Sequence, residues 1–162
     1  MEAKNILFAF TEMGRQTAGR IVQALGLPPE GVRCFVPERL QADGFEGFEN
    51  LAQVVGTLFA QAETLVFVGA AGIAVRAAAP YLESKLTDPA VIVVDEQARY
   101  VIPILSGHVG GANAYAQHLA VLLGALQSFR HKTANCRSSQ QRRICGISFR
   151  SIPTQNSGIW RL

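Results

Sequence analysis

The chain has 162 residues, 49% of them apolar and 17% charged, with a formal charge of +3. These figures suit one globular domain with its own core and argue against a wholly disordered chain. Met1–Leu126 holds all twelve acids and eight of the fifteen bases, whereas Gln127–Leu162 holds seven bases and no acid, so the basic average belongs to the tail and the body is mildly acidic.

Asn5–Phe10 reads as a buried strand and Thr11–Leu25 as a helix whose apolar positions Ala18, Ile21, Val22 and Leu25 share one face before Gly26 and Pro28 stop it. Val32–Val36 supplies a second strand, Phe48–Ala62 a second amphipathic helix and Leu65–Val68 a third strand. Gly69-Ala-Ala-Gly72 then turns into a helix over Ile73–Leu82, and Ala90–Val94 forms the next strand. Tyr100–Leu105 returns beside it after the polar turn Glu96–Arg99, and Ala112–Leu123 is the last helix. This alternation predicts an α/β fold, a layered α/β/α arrangement around a mostly parallel sheet with room for one antiparallel pair. Gln127–Leu162 has no periodicity of either kind and predicts weak order or disorder.

Two glycine-rich turns are the candidate sites. Gly69 and Gly72, between a strand and a helix, can hold an anion against backbone N–H groups with Arg76 as a fork-like partner, or can merely permit a tight turn. The pattern is neither a dinucleotide fingerprint nor a Walker motif. In Ser106-Gly107-His108-Val109-Gly110-Gly111-Ala112-Asn113, His108 can transfer protons near neutral pH, and Asn113 with the exposed N–H groups can bind an oxyanion or a carboxylate. Ser106 is a nucleophile or, more simply, a hydroxyl capping a turn, because no Gly-x-Ser-x-Gly elbow surrounds it. Asp95 and Glu96, at the end of a buried strand, are general bases or solvated carboxylates of a hairpin. Lys85 and Asp88 read as a surface pair, and His118 as an ordinary helix residue.

Cys34, Cys136 and Cys145 form a sparse, odd set with no secretory signal before them, which fits a reducing cytoplasm. His131, Cys136 and Cys145 lack the paired spacings of a zinc site, and no run approaches the roughly 18 apolar residues of a membrane helix. Nucleic-acid binding through the tail has seven positive charges but only scattered aromatics, so neither nucleic acid nor membrane is expected as a partner.

Three blocks carry a resemblance: Val66-Phe-Val-Gly-Ala-Ala-Gly-Ile-Ala-Val-Arg76, Lys85-Leu-Thr-Asp-Pro-Ala-Val-Ile-Val-Val-Asp-Glu96 and Leu105-Ser-Gly-His-Val-Gly-Gly-Ala-Asn113. With them, the chain resembles the CbiG family of anaerobic cobalamin biosynthesis, the cobalt-precorrin-5A hydrolases. The resemblance is strong over Leu65–Ala125 and looser before it. It implies hydrolytic opening of the ring-bridging lactone of a cobalt-containing corrin precursor, with loss of a two-carbon unit as acetaldehyde. The alternative is a module that binds a tetrapyrrole or another polycarboxylate without turning it over. A substrate rich in acetate and propionate groups makes anion sites of the two glycine turns, with Gly69, Gly72, Arg76, Ser106, Gly107, Gly110, Gly111 and Asn113 as binding residues. His108, Asp95 and Glu96 become the candidates for activating water or moving a proton. Cobalt arrives inside the substrate, so no protein cofactor or metal site is implied; the partners implied are the corrin precursor and other enzymes of the same pathway.

The resemblance stops at Leu126. The family continues with a Pro-Val-Ile-Thr-Thr-Ala-Thr-like strand, a linker and a second domain, whereas this chain reads Leu126-Gln127-Ser128-Phe129. Loss of one base from codons for Leu-Pro-Val-Ile yields Leu-Gln-Ser followed by Phe or Leu. Residues 1–126 are therefore expected to be the domain, and 127–162 a basic tail that is disordered or frameshifted, with one strand and the C-terminal domain missing.

Overall fold

A computed structural model describes residues 4–107 and 110–128; all belong to one compact unit. Seven strands, β1 (Asn5–Ala9), β2 (Val32–Pro37), β3 (Glu46–Phe48), β4 (Thr64–Val68), β5 (Ala90–Val94), β6 (Tyr100–Leu105) and β7 (Leu126–Gln127), form one sheet. Their order is β3-β2-β1-β4-β5-β6-β7. Every neighbouring pair is parallel except β5 and β6, so the sheet is mostly parallel with one antiparallel pair.

Helices cover both faces. Helix α1 (Glu12–Leu25) and helix α4 (Ala112–Leu123) bury Ala18, Ile21, Ala112, Ala116 and Leu119 against Leu7, Val66 and Ile92. On the other face α2 (Leu51–Leu58) and α3 (Ala71–Ala78) bury Val55, Leu58, Ala74 and Ala78 against Phe8, Phe67 and Val91. The continuous apolar runs of β1, β4 and β5 follow from this, since a strand covered on both faces has no solvent side to make polar.

Local chemistry sets the element ends. Thr11 caps α1 in an extended conformation, its Oγ1 accepting the Gly14 N–H at 3.0 Å, and Gly26 closes the helix at φ 59°. The second helix does not start at Phe48 as its apolar pattern predicts. Phe48 ends β3, which pairs with Phe35–Pro37 of β2, and the Asn50 side chain caps α2 by accepting the Gln53 N–H at 3.2 Å. The third helix likewise begins earlier than predicted, at Ala71, and stops at Ala78; Pro80 then lies in a single 3-10 turn, Ala79–Tyr81. The strand expected to be missing is present in short form: Leu126 and Gln127 pair with Tyr100 and Val101, and the Ser128 N–H donates to the Val101 carbonyl at 3.0 Å. The remaining tail residues, with His131, Cys136 and Cys145, lie outside the described residues.

No helix among the described residues is long and apolar enough to cross a membrane. Cys34 is buried in β2, where desolvation and then the Glu46 charge push its thiol up to about 11.

Candidate functional site

The sheet order reverses between β1 and β4. After β1 the chain crosses to α1 on one face, and after β4 to α3 on the other. The carboxyl ends of these strands lie at this switch point, the place where open α/β sheets receive ligands. Its rim consists of Phe10 and Thr11 after β1, Gly69 and Ala70 after β4, and Asp95 and Glu96 after β5.

Gly69 is required here by geometry. Its φ is 152° and a Cβ would lie 3.2 Å from the Phe10 ring, while its N–H donates to the Val94 carbonyl at 2.9 Å. Ala70 precedes α3 without offering a side-chain cap, and a side chain at Gly72 would meet nothing within 4 Å. In the first turn of α3 the Ile73 N–H already donates to the Ala70 carbonyl at 3.0 Å, which leaves the Ala71 and Gly72 N–H groups as the candidate donors to a carboxylate or phosphate. Arg76 is exposed on the same helix, five residues beyond Ala71, about 7 Å along the axis.

Glu96 is half-buried at this rim. Its Oε1 accepts from Thr11 Oγ1 at 2.8 Å and its backbone carbonyl accepts from Thr17 Oγ1 at 2.5 Å. Oε2 has no protein hydrogen-bond donor among the described residues. Asp95 has a different occupation: Oδ1 accepts the Arg99 and Tyr100 N–H groups, each at 2.6 Å, and Oδ2 accepts the Gln97 N–H at 3.3 Å. Its carboxylate builds the β5–β6 turn, in which Ala98 takes a φ of 55°.

The other glycine turn is elsewhere. Because β6 runs antiparallel to β5, with Leu105 beside Val91 and Val101 beside Val94, Ser106–Asn113 follows the opposite edge of the sheet. A strand length, roughly 17 Å, separates the two turns. Here the chain folds on itself. Ser106 adopts a φ of 57° and Gly111 of 79°. The Ala112 N–H donates to the Ser106 carbonyl at 3.2 Å and the Asn113 N–H to the Gly107 carbonyl at 3.1 Å. Two donors expected to be free at the start of α4 are thus already bonded. Asn113 packs over Gly107, and Gly110 sits so close to Ser106 and the Asp88 carbonyl that no Cβ fits. His108 lies outside the described residues.

Asp88 joins this edge by capping its own loop, accepting the Glu83 and Ser84 N–H groups at 3.1 to 3.2 Å. It forms no ion pair with Lys85. His118 is exposed on α4. Among the described residues no three His, Cys, Asp or Glu side chains gather as metal ligands.

Thr11 and Arg39 enter the site without having stood out in the sequence. Thr11 is detectable as a short polar cap closing the first strand-to-helix turn. Arg39, whose guanidinium donates to the Phe10 carbonyl at 3.1 Å, carries no local motif; only the β2–β1 pairing brings it to the rim.

Comparison with known proteins agrees with this architecture. Residues 53–128 match the cobalamin synthesis G N-terminal family. A cobalt-precorrin-5A hydrolase of Salmonella typhimurium is 44% identical over 123 residues, covering 74% of this chain and 33% of that protein. One of Priestia megaterium is 40% identical over 76 residues, covering 47% of this chain and 20% of that protein. The solved structure of a cobalamin biosynthesis protein G homologue from Sulfolobus solfataricus shares 26% identity at a TM-score of 0.59, over 77% of this chain and 36% of that one. The chain spans a third or less of the length of the curated relatives it matches.

Proposed function

We propose, on the premise that residues 53–128 form a cobalamin synthesis G N-terminal domain, that the chain acts in cobalamin biosynthesis as part of a cobalt-precorrin-5A hydrolase. The reaction is hydrolytic opening of the substrate's lactone with release of acetaldehyde, and cobalt enters with the substrate. The observation that carries this reading is the span of the family match, which contains every candidate residue from Gly69 to Asn113.

The switch-point rim is the substrate seat. Carboxylates of the macrocycle meet the open first turn of α3, and the Arg39 and Arg76 guanidiniums supply positive charge beside it. Glu96, oriented by Thr11 through one oxygen, offers the other to a water molecule as general base. Asp95 supports it by fixing the turn that carries Glu96. His108 keeps its candidacy for proton transfer, and at the opposite edge Ser106, Gly107, Gly110, Gly111 and Asn113 form a second, self-bonded surface for the large substrate. Other enzymes of the pathway are its expected partners.

A second reading, a binding module without catalysis, is favoured by one observation: two of the expected reactive regions stand a strand length apart. Incubation with cobalt-precorrin-5A separates the two. Acetaldehyde released in step with ring opening supports the hydrolase; tight binding with no acetaldehyde supports the module.

A further inference from the structure

Two threonines hold Glu96 from a distant part of the chain. Helix α1 follows β1, and β4 stands between β1 and β5, so α1 reaches over β4 to the turn that carries Glu96. Thr11, at the helix cap, donates to Glu96 Oε1 at 2.8 Å, and Thr17, in the second turn, donates to the Glu96 carbonyl at 2.5 Å. The two residues lie about 9 Å apart along the axis and share one helix face, with Gly14 midway. A Cβ at Gly14 would stand 3.2 Å from Thr11 Oγ1 and 3.4 Å from the Val68 carbonyl oxygen, so the glycine lets the helix approach the strand ends closely. Thr17 is buried at a position where packing alone asks for an apolar side chain, since its buried neighbours on the helix are Gly14, Ala18 and Ile21. A buried hydroxyl costs free energy unless it is bonded, and a helical threonine commonly bonds the carbonyl four residues back in its own helix. Here it leaves the helix for Glu96.

The turn is fixed from its own side as well. The Asp95 carboxylate accepts the Gln97, Arg99 and Tyr100 N–H groups, and the buried Ala98 holds a φ of 55°, which a non-glycine residue adopts only at a cost. Such strain persists where the surroundings over-determine it. The contacts meet at Glu96, and of its carboxylate oxygens only Oε2 lacks a protein donor among the described residues. A glutamate side chain loses rotamer freedom when it is ordered; one held in advance meets its substrate already oriented. We propose that Thr17 is a positioning residue of the lactone-opening reaction: by fixing the backbone of Glu96 it sets, together with the Thr11 bond, the one orientation in which Oε2 faces the reacting water. This inference rests on the reading of Glu96 as general base.

The test compares the 162-residue chain with Thr17→Val, which keeps the shape and removes the donor, and Thr17→Ser, which keeps the donor. Acetaldehyde release from cobalt-precorrin-5A gives kcat and KM, and three-bond couplings report whether the Glu96 side chain holds one χ1 rotamer. Thr17→Val is expected to lower kcat roughly tenfold with KM changed less than about twofold, and to average the Glu96 rotamer. Thr17→Ser is expected to recover both, and slow amide exchange in β1 and β4 of every variant shows that the fold persists. In a Glu96→Gln background Thr17→Val is expected to change kcat no further, because Thr17 acts only through Glu96. Equal kcat in the parent and Thr17→Val overturns the proposal. So does an equal fall in both backgrounds, which assigns Thr17 to the fold alone. Unchanged turnover in Glu96→Gln removes the reading of Glu96 and the inference with it. If the parent releases no acetaldehyde, the hydrolase reading fails and the couplings decide on Thr17: a rotamer averaged in the parent, or equally fixed in the parent and Thr17→Val, overturns its positioning role.

Discussion

Thr11 Oγ1 donates to Glu96 Oε1 at 2.8 Å while accepting the Gly14 N–H at 3.0 Å. One hydroxyl thus starts α1 and holds the rim carboxylate 85 residues away. Thr11→Ala removes both bonds and should cost about 1 kcal/mol of stability in urea unfolding followed by circular dichroism. Thr11→Ser keeps the hydroxyl and should recover most of that loss. Equal stability of the alanine variant and the parent would contradict the assignment.

The Ser106–Asn113 loop depends on having no side chain at residue 110. A Cβ at Gly110 would run into Ser106 Cβ, lie 3.0 Å from the Ser106 carbonyl oxygen and 3.4 Å from that of Asp88. Gly110→Ala should therefore lower stability by about 1–3 kcal/mol through forced displacement of backbone. Gly72→Ala, where a Cβ meets nothing within 4 Å, should be neutral or slightly stabilising in the same unfolding assay.

Arg33 and Glu46 tie β2 to the edge strand β3 by paired hydrogen bonds, each 2.7 Å. The bond from Arg33 holds the Glu46 carboxyl below its usual range. A depressed carboxylate stabilises the fold above its unfolded pKa, about 4.3, and loses that contribution as pH falls through its folded pKa. Glu46→Gln should cost under about 1 kcal/mol at pH 7, since both groups are well exposed. The difference between parent and variant should shrink as pH is lowered from about 5, measured by unfolding across that range.

Burial raises the Cys34 thiol to about 11, so little thiolate forms at neutral pH and the sulfur is covered. Iodoacetamide at pH 8 should leave Cys34 unmodified in the folded chain and alkylate it in denaturant. Peptide mapping distinguishes it from Cys136 and Cys145.

Much of the sheet was legible because both-face burial writes itself into sequence: Asn5–Ala9, Thr64–Val68 and Ala90–Val94 are apolar runs bounded by turn residues. The errors have local causes. Phe48 suits a helix face as well as an edge strand, and only its pairing with Pro37 decides. Gly72 looks like a turn residue but occupies the first turn of α3, where the start of a helix tolerates it. The site was harder to read. Asp95 and Glu96 are adjacent in sequence, yet one carboxylate builds a turn and the other reaches Thr11. The two glycine turns look alike, but the antiparallel course of β6 sends them to opposite edges. Pattern alone does not disclose strand direction, and with it goes the choice of edge.

The seat of the substrate is the claim on which the rest depends. Titration of the isotope-labelled chain with a soluble cobalt corrinoid bearing free acetate and propionate groups, followed by amide chemical shifts, tests it directly. The account predicts shifts centred on Phe10–Thr11, Gly69–Gly72 and Glu96. Shifts confined to Asp88 and Ser106–Asn113, or none at saturating ligand, would contradict it.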